Sequence, residues 1–186
     1  MSRLFGPITV RGLTLPNRAW VSPMCQYSAT DGLPGDWHLV HLGQFATGGA
    51  GLVLTEATAV TPEGRISPAD TGIWSEAHAD AWRRIVEFVH AQGTSIGMQL
   101  AHAGRKGSTK RPWEGSGSVP VDEGGWQSVG ADRQPFCPYA PARPLETDEV
   151  SALPAAFAAG ARRALDAGFD LFELHFAHGY LVHQFL

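Results

Sequence analysis

The amino-acid sequence predicts an α/β fold in which parallel strands are covered by helices, and a TIM (β/α)8 barrel in preference to an open, doubly wound sheet. Two observations carry this. Short apolar runs alternate with longer amphipathic segments four times along the 186 residues, the pattern of successive strand–helix units. Each apolar run also ends in chemically useful groups: Ser22 and Cys25, then Glu56 and Thr58, then Gln99 and His102, then His175 and His178. Periodicity alone does not separate barrel from open sheet, but such side chains at the end of every strand match the catalytic face of a barrel.

The elements follow in order. Ile8–Val10 and Leu13–Leu15, turning at Arg11 and Gly12, form a small hairpin able to plug or cap something larger. The first core strand is expected over residues 18–21, and a helix around 39–47 stops at Gly48 and Gly49. Residues 51–55 form the second strand. A helix starting near Ser75 sets Trp82, Ile85, Val86 and Val89 on one face and Arg83, Arg84 and Glu87 on the other, until Gly93 ends it. Residues 95–100 form the third strand. A third helix over about 147–167 presents Phe157, Ala161, Ala164 and Leu165, with Gly168 as its stop and Pro154 expected to delay or kink its start. Leu171–Leu174 follows as the fourth strand. The intervening residues 103–146 are rich in Gly, Pro and Ser yet carry Trp113, Trp126 and Phe136. Three large aromatics in a solvated loop would expose costly apolar area, which favours a folded active-site excursion over a mobile surface loop.

Composition narrows the function classes. Hydrophobic residues make up 44%, charged residues 17%, and the formal net charge is -4, an ordinary globular balance that calls for neither nucleic acid nor membrane. Met1 to Gly12 carry no secretory leader pattern, so a cytoplasmic setting is expected. Cys25 and Cys137 form no disulfide framework and lack metal-ligand spacing, which leaves them as free thiols.

The sequence His175-Phe176-Ala177-His178-Gly179-Tyr180 concentrates two imidazoles and a phenol within six residues. Histidine donates hydrogen bonds from its ring nitrogens near neutral pH and tyrosine can supply a proton, so the cluster suits holding a carbonyl or phenolate oxygen while a carbon is protonated. Zinc held by His175, His178 and His183 ranks well below this, because the His-Glu-x-x-His pattern and any suitably spaced Cys or acidic ligand are lacking; no metal site is expected. Taken alone, the cluster also fits a structural histidine pair satisfied by backbone.

Four segments together resemble one family. Leu13 to Arg18 with Ser22-Pro23-Met24-Cys25-Gln26-Tyr27, Gly51 to Thr58, Gln99 to Lys106, and Glu173 to Leu186 are similar, in order, to the first four strands of the Old Yellow Enzyme family. A cysteine at position 25 with Tyr27 after it resembles the bacterial thermophilic-like branch, where classical members carry threonine.

The resemblance implies an FMN-dependent NADPH oxidoreductase, an ene-reductase working by ping-pong hydride transfer. NADPH would reduce FMN, and the activated C=C bond of an α,β-unsaturated carbonyl or nitro compound would then be reduced. It places Ser22, Pro23, Met24 and Cys25 against the flavin ring, Ala57 at a backbone contact and Gln99 on the pyrimidine edge. Cys25 would tune the flavin without acting as a nucleophile; the bland alternative is a small buried hydrophobe. His175 and His178 would hold the substrate oxygen and Tyr180 would donate the proton. Tyr27 and Lys106 would sit near the substrate, although a solvated lysine is the plainer reading of Lys106.

A complete barrel needs ~250 residues and takes its phosphate site from the loops after strands seven and eight. The chain is therefore expected to be the N-terminal half of a single FMN-binding barrel over residues 1–186. It could be a fragment, or a half that pairs with a complementary C-terminal half or with a second copy. The alternative function is a catalytically incomplete half-barrel acting as an assembly module through its unpaired edges. The expected geometry is four parallel strands with Cys25, Gln99, His175 and His178 converging at one end.

Overall fold

The computed structural model describes residues 3–186; Met1 and Ser2, the first residues of the stretch searched for a leader, lie outside it. Strands β1 (Ile8–Val10) and β2 (Leu13–Leu15) pair as an antiparallel hairpin. Strands β3 (Trp20–Val21), β4 (Leu52–Ala59), β5 (Ser95–Ala101) and β8 (Leu171–Leu174) then form a wholly parallel sheet, adjacent in the order in which the chain makes them. Helices α1 (Asp36–Thr47), α2 (Glu76–Ala91) and α3 (Thr147–Asp166) pack side by side against it, α1 on α2 and α2 on α3. Sequential neighbours with helices on one face build the wall of a barrel; a doubly wound sheet would carry helices on both faces. The described strands form half of such a barrel.

The wall is held by burial. Val53, Ile96, Met98 and Leu100 point from the sheet to the helices, where Leu42 and Ala46 of α1, Trp82, Ile85, Val86 and Val89 of α2, and Phe157 and Ala164 of α3 meet them. Trp82 is fully buried, its ring edge-to-face with His38 at 6.1 Å and with Phe169 at 5.7 Å, and its indole N–H donates to the Gly72 carbonyl at 3.3 Å. That hydrogen bond lets a large amphipathic ring sit dry.

Several elements differ from the sequence expectation. The first core strand shrinks from residues 18–21 to Trp20–Val21, because the Arg18 N–H donates to Leu4 and the Asn17 amide to Gly49, away from the sheet. Helix α1 starts three residues before the expected 39. Its cap is Gly35, whose N–H donates to His38 Nδ1 at 3.0 Å, an arrangement without the usual Ser, Thr, Asp or Asn signature. Pro154 lies inside α3 and does not delay it: the helix begins at Thr147, where Glu149 accepts the Glu146 N–H and a two-pronged ion pair from Arg143.

Strand β4 runs on to Ala59 across a bulge. Leu54 pairs with Gly97 and Ala57 with Gln99, so three steps along β4 match two along β5. Leu52 and Leu54 face the inside of the wall beside Leu13, Leu15 and Trp20. Beyond the bulge Ala57 takes the inner position and Glu56 turns away from it. The Thr55 hydroxyl spans the irregularity, donating to the Glu56 carbonyl at 3.0 Å and accepting the Gln99 N–H at 3.2 Å.

Residues 103–146 contain short 3-10 turns and the two-residue strands β6 (Val129–Gly130) and β7 (Arg143–Pro144). The segment is pinned by Trp126, whose N–H donates to the Glu63 carbonyl at 3.0 Å beneath the Arg65 guanidinium. At the sheet margins Trp20, Phe172 and Leu174 are 44%, 40% and 45% exposed. Among the described residues, no helix is long and apolar enough to cross a membrane.

Trp82→Ala should cost about 3–5 kcal/mol in urea unfolding, the range for emptying a fully buried aromatic site. A cost under ~1 kcal/mol would show that the three helices do not depend on this ring.

Candidate active site

The C-terminal ends of the four parallel strands meet around a cavity of about 480 Å³. Ser22, Pro23 and Cys25 come from the loop after β3, Ala57 from β4 and Gln99 from β5. Glu173 of β8 and His175, Ala177, His178 and Tyr180 of the turn after it complete the lining. Residues 22–27 have no strand or helix of their own, and Tyr27 holds a left-handed φ of 50°. Gln99 and Glu173 are register partners in neighbouring strands, and the Gln99 Nε2 donates to Glu173 Oε1 at 2.7 Å. With its NH2 turned to a carboxylate, the amide has its carbonyl oxygen left to accept from a ligand N–H.

The turn after β8 is built on two successive left-handed residues, His178 at φ 58° and Gly179 at φ 74°. Only glycine adopts this freely, so His178 is held there by its surroundings. Lys106 Nζ donates to the His178 carbonyl at 2.9 Å, the Gly179 N–H to His183 Nδ1 at 2.7 Å, and the Leu181 N–H to the His102 carbonyl at 3.0 Å. Gln184 ties the turn to the excursion by accepting the Ala131 N–H at 3.1 Å. The result is a compact triad of rings, with His175 edge-on to His178 at 5.0 Å and to Tyr180 at 4.9 Å.

The cavity favours uncharged groups. Burial lowers the pKa of His175, with the His178 and Lys106 charges adding to the effect, so its ring is a neutral imidazole near pH 7. Burial raises the Tyr180 hydroxyl, and Cys25 and Asp70 push the same way, so the phenol keeps its proton. The Cys25 thiol is pushed up to about 12, chiefly by burial and then by the negative charges of Asp70 and Glu56. At physiological pH it is a thiol, without the thiolate a nucleophile needs.

Of the residues singled out in the sequence, Ser22, Pro23, Cys25, Ala57, Gln99, His175, His178 and Tyr180 line this cavity. Three do not. Met24 is 43% exposed, Tyr27 packs edge-on against Trp113 at 5.7 Å, and Lys106 places its ammonium between the Phe136 and Tyr180 rings, at 4.4 and 4.8 Å. Sequence reasoning assigned no role to Glu173, which orients Gln99. Its signal was there: a carboxylate inside an apolar strand, two residues before His175 and therefore on the same face.

The sequence pattern of the NADH:flavin oxidoreductase / NADH oxidase family matches residues 3–186. An NADH:flavin oxidoreductase of Gibberella zeae is 45% identical over 190 residues, covering 100% of this chain and 46% of that protein. An NADPH dehydrogenase of Geobacillus sp. (strain WCH70) is 42% identical, covering 98% of this chain and 50% of that protein. Among solved structures, morphinone reductase in complex with tetrahydroNAD superposes with a TM-score of 0.84 at 32% identity, covering 100% of this chain and 52% of the other. The chain thus spans about half the length of the relatives it matches.

Asp70, whose charge bears on Cys25, Tyr27 and Tyr180 alike, is fully buried and accepts from the Ile66 and Ser67 N–H groups and the Ser67 hydroxyl. Those donors favour the carboxylate, but burial and the Glu56 charge outweigh them and raise its pKa from 3.8 to about 7. Between these two values the unfolded chain ionises while the folded one holds its proton, so the contribution of Asp70 to stability falls as pH rises from about 4 to about 7. Urea titrations of the parent and Asp70→Asn should show the parent losing ground to the variant across that window and levelling off above it. The opposite slope would mean that the hydrogen-bond donors win and Asp70 is ionised in the fold.

Proposed function

The chain belongs to the NADH:flavin oxidoreductase / NADH oxidase family, and from that premise we propose that it supplies the FMN- and substrate-binding half of an NADPH-dependent ene-reductase acting on α,β-unsaturated carbonyl or nitro compounds. The observation that carries this reading is the convergence of Cys25, Ala57, Gln99, His175, His178 and Tyr180 on one cavity at the C-terminal ends of four parallel strands.

The residues present fit FMN. A flat ring with donors and acceptors along one edge needs close backbone approach and an adaptable amide. The small side chain of Ala57 leaves the floor open, and Gln99, fixed by Glu173, offers a carbonyl oxygen to the pyrimidine N–H. The protonated Cys25 thiol contributes a weak, uncharged contact. Bound FMN would supply a two-electron carrier able to accept hydride from a nicotinamide and deliver it to carbon.

The protein's own part is polarisation and proton delivery. His175 and His178 present ring N–H donors to the oxygen that activates the alkene and stabilise the negative charge growing there, each such hydrogen bond being worth about 1.5–3 kcal/mol. Tyr180, raised in pKa by burial, holds its proton until the adjacent carbon demands it. Lys106 braces this group from the side, through the His178 carbonyl and the Tyr180 ring.

Exposed Trp20, Phe172 and Leu174 at the sheet margins favour a second reading, an assembly module that works by pairing with another chain. Titration with FMN distinguishes the two. Quenched flavin fluorescence and a shifted visible spectrum support the first; a colourless protein that self-associates in sedimentation supports the second.

Within the completed barrel, the joint substitution His175→Ala/His178→Ala should weaken binding of phenolic ligands and slow enone reduction by about ten- to a hundredfold for each lost donor. Tyr180→Phe should leave phenolic-ligand affinity and flavin reduction by NADPH unchanged and slow only enone reduction. Stopped-flow measurement of the two half-reactions decides. A Tyr180→Phe protein slow in flavin reduction and normal with enone would reverse the assigned roles.

A further inference from the structure

We propose that Glu56 is a positioning residue for residues 22–27, the loop that faces the flavin: its carboxylate anchors the loop, and His38 anchors the carboxylate. The bulge in β4 turns Glu56 out of the cavity and toward the start of α1. There Oε2 accepts the Gln26 N–H at 2.9 Å, while Oε1 lies 3.1 Å from His38 Nε2. His38 Nδ1 accepts the Gly35 N–H, which leaves the ring proton on Nε2, the nitrogen that faces Glu56. The two side chains are 2% and 1% exposed, and neither His38 Nε2 nor Glu56 Oε1 has a hydrogen-bond partner among the described residues, which leaves the close approach of the two as the polar contact each makes. Removing either therefore strands the other in a dry interior.

The loop needs such an anchor. Residues 22–27 have no sheet or helix of their own, and Tyr27 is held at a left-handed φ of 50° just after the Gln26 N–H that Glu56 captures. An outer contact repeats the direction of the inner one: Trp37 Nε1 donates to Gln26 Oε1 at 3.0 Å, and Gln26 Nε2 donates to the Met24 carbonyl at 2.7 Å. The first turn of α1 thus grips the loop twice, through Glu56 inside and through Trp37 at the surface. Cys25, between the two contacts, is held half-buried at the cavity wall against the Ala57 backbone.

The consequence for FMN rests on the proposed function, but the position of the loop can be read without it. In a Cys137→Ser background, Cys25 is the only thiol and its alkylation by iodoacetamide at pH 8 reports whether the loop keeps it in its half-buried position. Glu56→Gln turns an amide NH2 toward the His38 N–H and should speed alkylation roughly tenfold or more. Adding His38→Gln supplies a carbonyl that can face that NH2 and should bring the rate back to within about threefold of the parent. Leu42→Ala, which hollows the core one turn beyond His38 in α1 and leaves Glu56 and its partners in place, should lower Tm without speeding alkylation. Should Glu56→Gln fail to fold, Trp37→Phe removes only the exposed contact and should give a roughly two- to fivefold increase. A folded Glu56→Gln protein that labels at the parental rate overturns the proposal, as does a double variant no slower than the single one, or an equal acceleration by Leu42→Ala. With FMN added, Glu56→Gln should weaken binding about tenfold and shift the flavin midpoint potential. A parent chain that binds no FMN counts against the flavin reading while the alkylation result stands.

Discussion

One extra residue in β4 governs the geometry of the site. Without the bulge between Leu54 and Ala57, strict alternation would continue the inner series Leu52, Leu54 with residue 56, and a carboxylate would face the floor where the ligand ring is to lie. The bulge exchanges that carboxylate for the methyl group of Ala57 and sends Glu56 to a different task. A Thr55 hydroxyl that both donates and accepts spans the irregular ladder, so the Glu56 carbonyl and the Gln99 N–H both find a partner there. Cavity floor and loop anchor are two outcomes of a single register shift.

The same economy of charge runs through the cavity. Cys25, Tyr180 and His175 in the cavity lining are driven toward their neutral forms by burial, while the carboxylate of Glu173 is turned to the Gln99 amide and Glu56 and Lys106 lie behind the lining. Each charge is paired to something specific: Glu173 to an amide, Glu56 to a backbone N–H and a histidine, and Lys106 to a carbonyl beside two aromatic rings. Charges paired in this way orient neutral donors without attracting counter-ions into the reaction space, and in a low-dielectric pocket the oriented dipoles act at full strength.

Much of this was legible in the sequence, and what was not has identifiable causes. The strands announced themselves as apolar runs and the helices as amphipathic ones, since burial on both faces of a parallel sheet and on one face of a helix imposes those patterns. The bulge left no trace for the same reason: in Leu52–Ala59, buried on both sides, alternation carries no information about which face a residue takes. Helix α1 was expected too late because its cap is a glycine N–H bound by a histidine ring, a pairing that no standard capping pattern contains. His38 looked like an ordinary residue of an amphipathic helix; only the fold brings it against Glu56. Family resemblance supplied the positions that line the cavity, but neither Glu173, whose place in an apolar strand two residues before His175 marks it locally, nor Glu56, whose role depends on contacts between a strand, a helix and a loop that no local motif encodes.

The left-handed turn after β8 is secured at long range by residues that precede it in the chain, Lys106 at the His178 carbonyl, His102 at Leu181 and Ala131 at Gln184, and locally by His183, which accepts the Gly179 N–H. Translation proceeds in one direction, and by the time this turn leaves the ribosome each of its distant partners has already been made. This strained backbone can therefore close during synthesis as soon as His183 and Gln184 have followed it.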